Sequence, residues 1–396
     1  MVSIEEAKRR ISENITPLGA VAKLLRNSFG HVLAEDVLSP IDLPGFDQSA
    51  MDGFALIRAD LNKGTREFDV IGEIQAGKYK PVEVISGQAV RIFTGACIPA
   101  STDIVIMQED TLLKDKKLVI RNYLPDQKNN IRKKGEQIGT GQKALSKGAV
   151  INAAGVGYLA AMGIEKIKVI RKPEIALIST GNELKRAGQK LSPGEIYESN
   201  SAMIKVALAE NGFILGEERR AKDFLDKTEA EIAGALRNSD VLIISGGISV
   251  GKYDYVKEAL ERNDVKEVFY KVDQKPGKPL YFGMKGKKLV FALPGNPASL
   301  LTCFFIYVLP ALRQLSGFNS TTNHTECKLL HDYTYLGGRP VFLKAFYSEK
   351  GVKILDGQAS FVLSSFAQSN ALVYLDGNKR TLERGSIVTA YITRSS

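Results

Sequence analysis

The sequence predicts a multidomain α/β chain, and three observations carry that expectation. From Ile175 to Leu312 strand-type and helix-type segments take turns, which is the pattern of a doubly wound sheet with helices on both faces. From about Ile41 to Val150, short β-type runs are separated by Gly, Pro and Asp. Beyond the polar stretch Gly317 to His324, the apolar pattern alternates like the strands of a small all-β domain. The 396 residues fit two to four domains at roughly 150 residues each.

The elements follow in order. Ser3 with Glu6 makes a capping box for a first helix whose apolar positions Ile4, Ala7 and Ile11 share one face. Gln88 to Phe93 and Ile104 to Met107 read as strands, and Gly155 to Met162 as a helix. Pro173 disfavours helix in the residue before it, so Arg171-Lys172-Pro173 reads as a linker and a new domain begins near Glu174. That domain runs strand Ile175 to Ser179, helix Ser201 to Glu210, strand Phe213 to Gly216, helix Lys227 to Arg237 and strand Val241 to Ser245. Gly212 suits the C-terminal cap of the first helix, and Asp226 with Glu229 a capping box for the second. Helix Tyr255 to Arg262, extended segments Val268 to Val272 and Leu289 to Leu293, and an apolar helix after Pro297 complete it. In the tail, Val341 to Phe346, Ala371 to Leu375 and Ile387 to Ile392 read as strands.

Composition excludes several functions. Cys97, Cys303 and Cys327 form no CxxC pair, which argues against a disulfide framework or thiolate zinc site and fits a reducing cytoplasm. His31, His324 and His331 lack HExxH spacing, so any metal is expected to be hard and oxygen-bound. MVSIEEAKRR lacks the apolar stretch of a signal peptide. The longest apolar run, Ala298 to Leu312, is shorter than the roughly 18 residues of a membrane span and reads as a buried helix. The net charge of +10 is concentrated in residues 111–134 and 271–290, which carry +6 and +5. Charge favours anionic partners without choosing among nucleic acid, membrane and small anions.

Three loops of the alternating domain suit anions. Ser245-Gly246-Gly247-Ile248-Ser249-Val250-Gly251 follows a strand and precedes a helix, so Gly246, Gly247, Ser249 and Gly251 can bring backbone N–H groups to a phosphate; a tight turn is the alternative reading. In Lys275-Pro276-Gly277-Lys278-Pro279 a Pro-Gly turn can direct both ammonium groups at one tetrahedral oxyanion, against the alternative of solvated lysines on a hairpin; Lys271 stands four residues before it. In Leu293-Pro294-Gly295-Asn296-Pro297-Ala298-Ser299, Asn296 takes the N-cap and Pro297 the first helical position, with Ser299 a further hydroxyl donor. The carboxylates Glu183, Asp223 and Asp254 could form a Mg²⁺ and general-base set facing phosphate. In the β-rich part, Asp52 lies in FDQSAMDGFAL and Thr94 in AVRIFTGACIP.

Taken together with IRKKGEQI, ALISTGNEL, SGGISVGKYDY, KPGKP and LPGNPAS, these motifs resemble, in order and nearly end to end, the MoeA-type molybdopterin molybdenumtransferases, a family that includes the gephyrin E domain. The resemblance implies a helical domain from residues 1–43 and 139–172, a β-rich insertion at 44–138, a MogA-like α/β domain at 173–320 and a C-terminal β-barrel at 321–396. It implies an elongated cytoplasmic homodimer with its active site between the MogA-like domain of one subunit and the insertion of the other, and possible contact with a MogA-type adenylyltransferase. The implied reaction inserts molybdenum from molybdate into adenylylated molybdopterin, releases AMP and needs Mg²⁺. Only with this resemblance does a small, highly charged anion take precedence over nucleic acid or membrane as the expected partner.

By motif position, Asp52, Thr94, Glu183, Asp223 and Asp254 resemble the functional acidic and hydroxyl residues, and Lys271 and Lys275 the basic ones. Glu183 and Asp254 are the implied metal ligands. Lys275, Lys278 and Ser299 are the implied molybdate residues, joined by Arg339 and Ser365 from the tail. Gly246, Gly247, Ser249, Gly251, Pro294, Asn296 and Pro297 complete the implied substrate contacts. The chain departs from the family pattern at Gln137 and Glu198, where Asp is usual. The competing expectations are a scaffold of gephyrin type and a molybdopterin adenylyltransferase.

Overall fold

The alternation after Pro173 folds as one six-stranded sheet. The computed structural model describes residues 1–248, 255–319 and 323–394. It divides into one unit of Met1–Val21, Gly30–Val32 and Val169–Ser396, and another of Ala22–Phe29 and Leu33–Lys168.

In the first unit the elements are β1 (Ile175–Thr180), α1 (Asn200–Glu210), β2 (Leu215–Ala221), α2 (Leu225–Asn238), β3 (Val241–Ser245), α3 (Val256–Arg262), β4 (Lys266–Tyr270), β5 (Tyr281–Lys285), β6 (Lys288–Leu293) and α4 (Pro297–Cys303). The spatial order is β2-β1-β3-β6-β5-β4, with the first four strands parallel and β5 and β4 antiparallel. The doubly wound expectation therefore holds, with an antiparallel edge that the sequence reading lacked. Its cause is local. Only Gly286 and Lys287 separate β5 from β6, and a two-residue connection joins antiparallel neighbours alone.

The strands bury alternate residues on opposite faces, as a period of two requires. Ile175, Leu177, Val241, Ile243, Leu289, Phe291 and Leu293 pack with α1, the helix beginning at Pro297 and the first helix, Ile4–Glu13. Ala176, Ile178, Leu242, Ile244, Val290 and Ala292 pack with α2 and α3. Ser3 caps the first helix as expected, its Oγ accepting from Glu6 N–H at 3.1 Å. Gly212 takes the expected left-handed turn after α1, at φ +75°. The expected Asp226 cap does not form: α2 starts at Leu225, Phe224 holds the N-cap position, and Asp226 lies inside the first turn.

α4 continues through a π-helical turn, Phe304–Val308, into Leu309–Leu315. Pro310 has no N–H to give to the carbonyl four residues back, and the widened turn precedes it. Pro297–Leu315 is long and apolar enough to cross a membrane by composition, yet 72% of its most apolar stretch is buried within the protein, as a core helix requires.

The tail forms a five-stranded antiparallel sheet ordered His324–Lys328, Ile387–Ile392, Ala371–Leu375, Val341–Ser348 and Gly351–Ile354, with a ribbon pairing Tyr333–Tyr335 and Arg380–Leu382. In the second unit a six-stranded sheet includes the expected strands Gln88–Ile92 and Ile104–Met107, both paired with Gly53–Leu56. Helix Ala153–Ala161 also forms there.

Candidate active site

In a parallel sheet the carboxyl ends of the strands open towards ligands, and here the loops after β1, β3 and β6 line a cavity of about 640 Å³. Gly246 and Gly247 follow β3 at φ +89° and +65°. A Cβ on Gly246 would stand 2.9 Å from Thr180 Oγ1, and one on Gly247 2.6 Å from Val256 Cγ2, so only glycine fits this turn. Gly246 N–H donates to Leu293 O at 3.0 Å, which ties the loop to the end of β6. Asn200 Nδ2 adds a second tie, donating to Ser245 Oγ at 2.9 Å and to Gly295 O at 2.8 Å. Its Oδ1 is buried and unpartnered among the described residues.

Glu183 and Asp223 line the same cavity. Asp223 Oδ2 accepts from Asn182 N–H at 3.1 Å, and Asn182 Oδ1 accepts from Asp223 N–H at 3.3 Å, a reciprocal latch between the loops after β1 and β2. The Glu183 carboxylate folds over Gly181, where a Cβ would lie 2.7 Å from its Oε2. Gly181 is therefore part of the carboxylate's seat. The departure at Glu198 is accommodated, since its longer side chain still caps α1 by accepting from Ser201 N–H at 2.8 Å.

A second cavity, about 750 Å³, lies between the sheet domain and the tail, and Lys275, Lys278, Ser299 and Arg339 line it. The tail is stitched to the lysine loop: Lys275 N–H donates to Pro340 O and Phe342 N–H to Lys275 O, each at 2.8 Å. Gly277, at φ +89°, packs so closely that a Cβ would stand 2.5 Å from Cys303 Sγ. Arg339 Nε pairs with Asp273 at 3.0 Å. Pro279 and Asn296 line both cavities, which makes the two contiguous.

Asn296 occupies the expected N-cap position with Pro297 after it, but its side chain makes no capping bond. Its Nδ2 instead donates to Ser360 Oγ in the tail at 3.3 Å. Ser360 lines the second cavity, whereas Ser365 does not; Ser365 is buried, with its Oγ donating to Gly357 O at 2.8 Å. Lys271 lines neither cavity. Its ammonium sits 4.6 Å from the centre of the Tyr270 ring, at a left-handed residue that ends the edge strand.

Asp52 and Thr94 belong to the second unit. Thr94 N–H and Oγ1 both donate to Asp52 Oδ1 at 2.7 Å, and the backbone bond first, then the hydroxyl and Arg91, hold this carboxyl below the usual aspartate range. Ser249, Gly251 and Asp254 lie outside the described residues. Among the described residues no group of three His, Cys, Asp or Glu side chains could hold a metal. Sequence reasoning missed Asn200 and Ser360. The first stands beside Glu198 in a segment already singled out, and the second five residues before the serine chosen in its place.

Three family models match in chain order: the MoeA N-terminal region (domain I and II) over residues 2–163, a probable molybdopterin binding domain over 176–314, and the MoeA C-terminal region (domain IV) over 326–393. The chain belongs to the MoeA family. It is 34% identical over 405 residues to a molybdopterin molybdenumtransferase of Staphylococcus epidermidis, covering all of this chain and 96% of that one. It is 33% identical over 404 residues to one of Staphylococcus aureus, again covering 100% of this chain and 96% of the relative. A MoeA crystal structure from Pyrococcus horikoshii aligns over 100% of both chains with a TM-score of 0.83 and 30% identity. As a MoeA-family protein the chain is a transferase of molybdenum cofactor biosynthesis.

Proposed function

We propose that the chain inserts molybdenum from molybdate into adenylylated molybdopterin and releases AMP. The observation that carries this reading is the contiguity of two unlike cavities. One has a glycine cradle and carboxylates; the other has Lys275, Lys278 and Arg339 around Ser299 and Ser360.

The division of labour follows from the chemistry. Three cations and two hydroxyls suit a tetrahedral dianion, and the glycine loop presents N–H groups suited to phosphate. As water forms a new P–O bond and the bond between the two phosphates opens, negative charge builds on the departing AMP, and positioned donors that need no reorganisation lower that barrier. Mg²⁺, when bound, would neutralise charge on the diphosphate. Glu183 fits such an ion, because its carboxylate is a hard oxygen donor with no hydrogen bond or ion pair among the described residues. Asp254 would be its companion and Asp223 a nearby acid. The dithiolene sulfurs that receive the metal belong to the substrate, so the protein needs no clustered cysteines.

The working assembly is a homodimer in which a second copy brings Asp52 and Thr94 to the cavity. Its subunit has a helical part (1–43 and 139–172), an insertion (44–138), a MogA-like domain (173–320) and a C-terminal barrel (321–396). The location is cytoplasmic, in keeping with three free cysteines, and a MogA-type adenylyltransferase supplies the adenylylated substrate by direct contact. The test is AMP release from purified protein supplied with Mg²⁺, molybdate and adenylylated molybdopterin. Release that depends on molybdate supports the reading, and release no greater than in a protein-free control overturns it.

A further inference from the structure

One wall of the first cavity comes from the tail. Phe361 lines it, although the other lining residues lie between Thr180 and Pro297, and its side chain is 72% exposed. Single exposed apolar side chains are ordinary on a protein surface and need no explanation. This one is different in how its loop is held.

Lys344, only 4% exposed, donates from Nζ to Gly357 O at 2.6 Å, Val362 O at 3.0 Å and Ala359 O at 3.2 Å. All three ammonium donors are thereby spent on carbonyls that bracket Phe361. Gln358 pairs with the Lys344 backbone in both directions, each bond 2.9 Å. On the other side Ser360 O accepts from Ala298 N–H at 3.2 Å, at the start of α4. A buried ammonium is costly unless its donors are satisfied, so this arrangement fixes the loop. It holds an aromatic ring in water at the mouth of a charged cavity, with no aromatic partner among the described residues.

The rest of the cavity indicates the ligand class. Gly246 and Gly247 stand at one part of the lining, suited to phosphate, while Leu184, Ile196 and Tyr197 give it an apolar and aromatic part. A site with both parts fits a planar heterocycle carrying a phosphate. Aromatic side chains recognise such rings by stacking, which covers apolar surface on both partners.

We infer that Phe361 is the stacking platform for a planar heterocycle of the phosphate-bearing substrate, a specificity residue supplied by the tail to a cavity otherwise built by the sheet domain. The inference rests on the reading of this cavity given under Proposed function. Two rings share the required chemistry, adenine and pterin, and the test separates them.

The sequence contains no tryptophan, so Phe361→Trp introduces a single tryptophan, which can be excited apart from the tyrosines, at the site. AMP is titrated in one arm, a monophosphorylated pterin in the second, and pyrophosphate, which has no ring, in the third. Quenching of that tryptophan by one ring-bearing ligand and not by pyrophosphate is the expected result, and the arm that quenches names the ring. Calorimetry on Phe361→Ala and Phe361→Leu is expected to show about tenfold weaker binding of that same ligand than in the unaltered protein, with pyrophosphate affinity within about twofold. Leucine keeps bulk but has no aromatic face, so loss in both variants separates stacking from mere filling of space. Unaltered affinity of Phe361→Ala for both ring-bearing ligands overturns the inference and leaves the proposed function standing. Failure of the unaltered protein to bind AMP, the pterin and pyrophosphate alike overturns the reading of the cavity itself, and the inference with it.

Discussion

Thr94 donates twice to one oxygen of Asp52, through its backbone N–H and its hydroxyl, each at 2.7 Å. The two residues are 42 positions apart in sequence, each within a motif of its own. A carboxylate that accepts two such bonds is favoured in its charged form, and Arg91 adds to the effect.

The first prediction concerns that pair. Thr94→Val keeps the N–H and removes the hydroxyl, so the Asp52 pKa should rise part of the way back towards the ordinary 3.8. A carboxyl-detected NMR titration of both proteins measures it. Because the folded pKa is depressed, whatever stability Asp52 contributes is complete above the ordinary aspartate value and is lost as pH falls through the folded one. An unchanged Asp52 titration in the variant would show that the hydroxyl has no part in holding the charge.

The two tail serines should behave differently. Ser360 lines the cavity with Lys275 and Lys278, so Ser360→Ala should raise the molybdate concentration needed for half-maximal turnover by about ten- to a hundredfold, as for a lost hydrogen bond to a charged group. Ser365→Ala removes the bond to Gly357 O and should lower stability by about 1 kcal/mol with molybdate dependence unchanged. Steady-state kinetics against molybdate and denaturant unfolding decide the matter, and the reverse assignment would place the oxyanion elsewhere.

Gly246→Ala should destabilise the first unit by about 1–3 kcal/mol, because it combines a left-handed backbone with a contact of 2.9 Å to Thr180 Oγ1. Gly286→Ala is the matched comparison. That turn has φ +60° but open space around it, so the cost should be about 1 kcal/mol. Equal losses in urea unfolding would mean that backbone conformation alone, and not the close approach to β1, demands glycine at Gly246.

Lys8 offers a pH test. Burial pushes its ammonium down to about 8, although Nζ donates to Tyr391 Oη at 2.8 Å and lies 4.5 Å from that ring's centre. The unfolded chain, with the ordinary value of 10.5, then binds more protons than the folded one between those two values. Stability should therefore rise with pH across that window, by at most about 3 kcal/mol. Lys8→Met should remove this slope. Parallel unfolding curves of the two proteins from pH 7.5 to 10.5 would contradict it.

Much of the fold was legible because its signals are local. Ser3 caps the first helix, the left-handed Gly212 follows α1, and Ile175 to Ser179 reads as a strand from its own residues, which the structure extends to Thr180 and buries throughout. The failures share a cause as well. Asp226 has cap chemistry and Glu229 stands three residues on, but the chain enters α2 one residue earlier, and no local rule fixes that entry. β5 was missed because Tyr281 to Lys285 is a short apolar run whose identity depends on the turn that pairs it with β6. At the site, the glycine loop and the lysine loop could be named from sequence because each needs unusual backbone geometry. Asn200, Ser360 and Phe361 could not, since Asn, Ser and Phe are ordinary residues until their neighbours are known.

The sequence by itself determined the periodicity of each element, the positions where only glycine or proline suits the backbone, and the family, because each of these is written in neighbouring residues. The tertiary structure decided which loops meet. Sheet order brings the ends of β1, β3 and β6 to one cavity, and the bonds from Lys275 to Pro340 and Phe342 dock the tail beside it. That docking turns Asn296 from a helix cap into a partner of Ser360 and brings Phe361 into the lining of the cavity that Gly246 also lines. Local pattern fixes backbone conformation, whereas convergence of distant side chains depends on how whole surfaces pack, and that free energy is spread over the two cores on either face of the sheet.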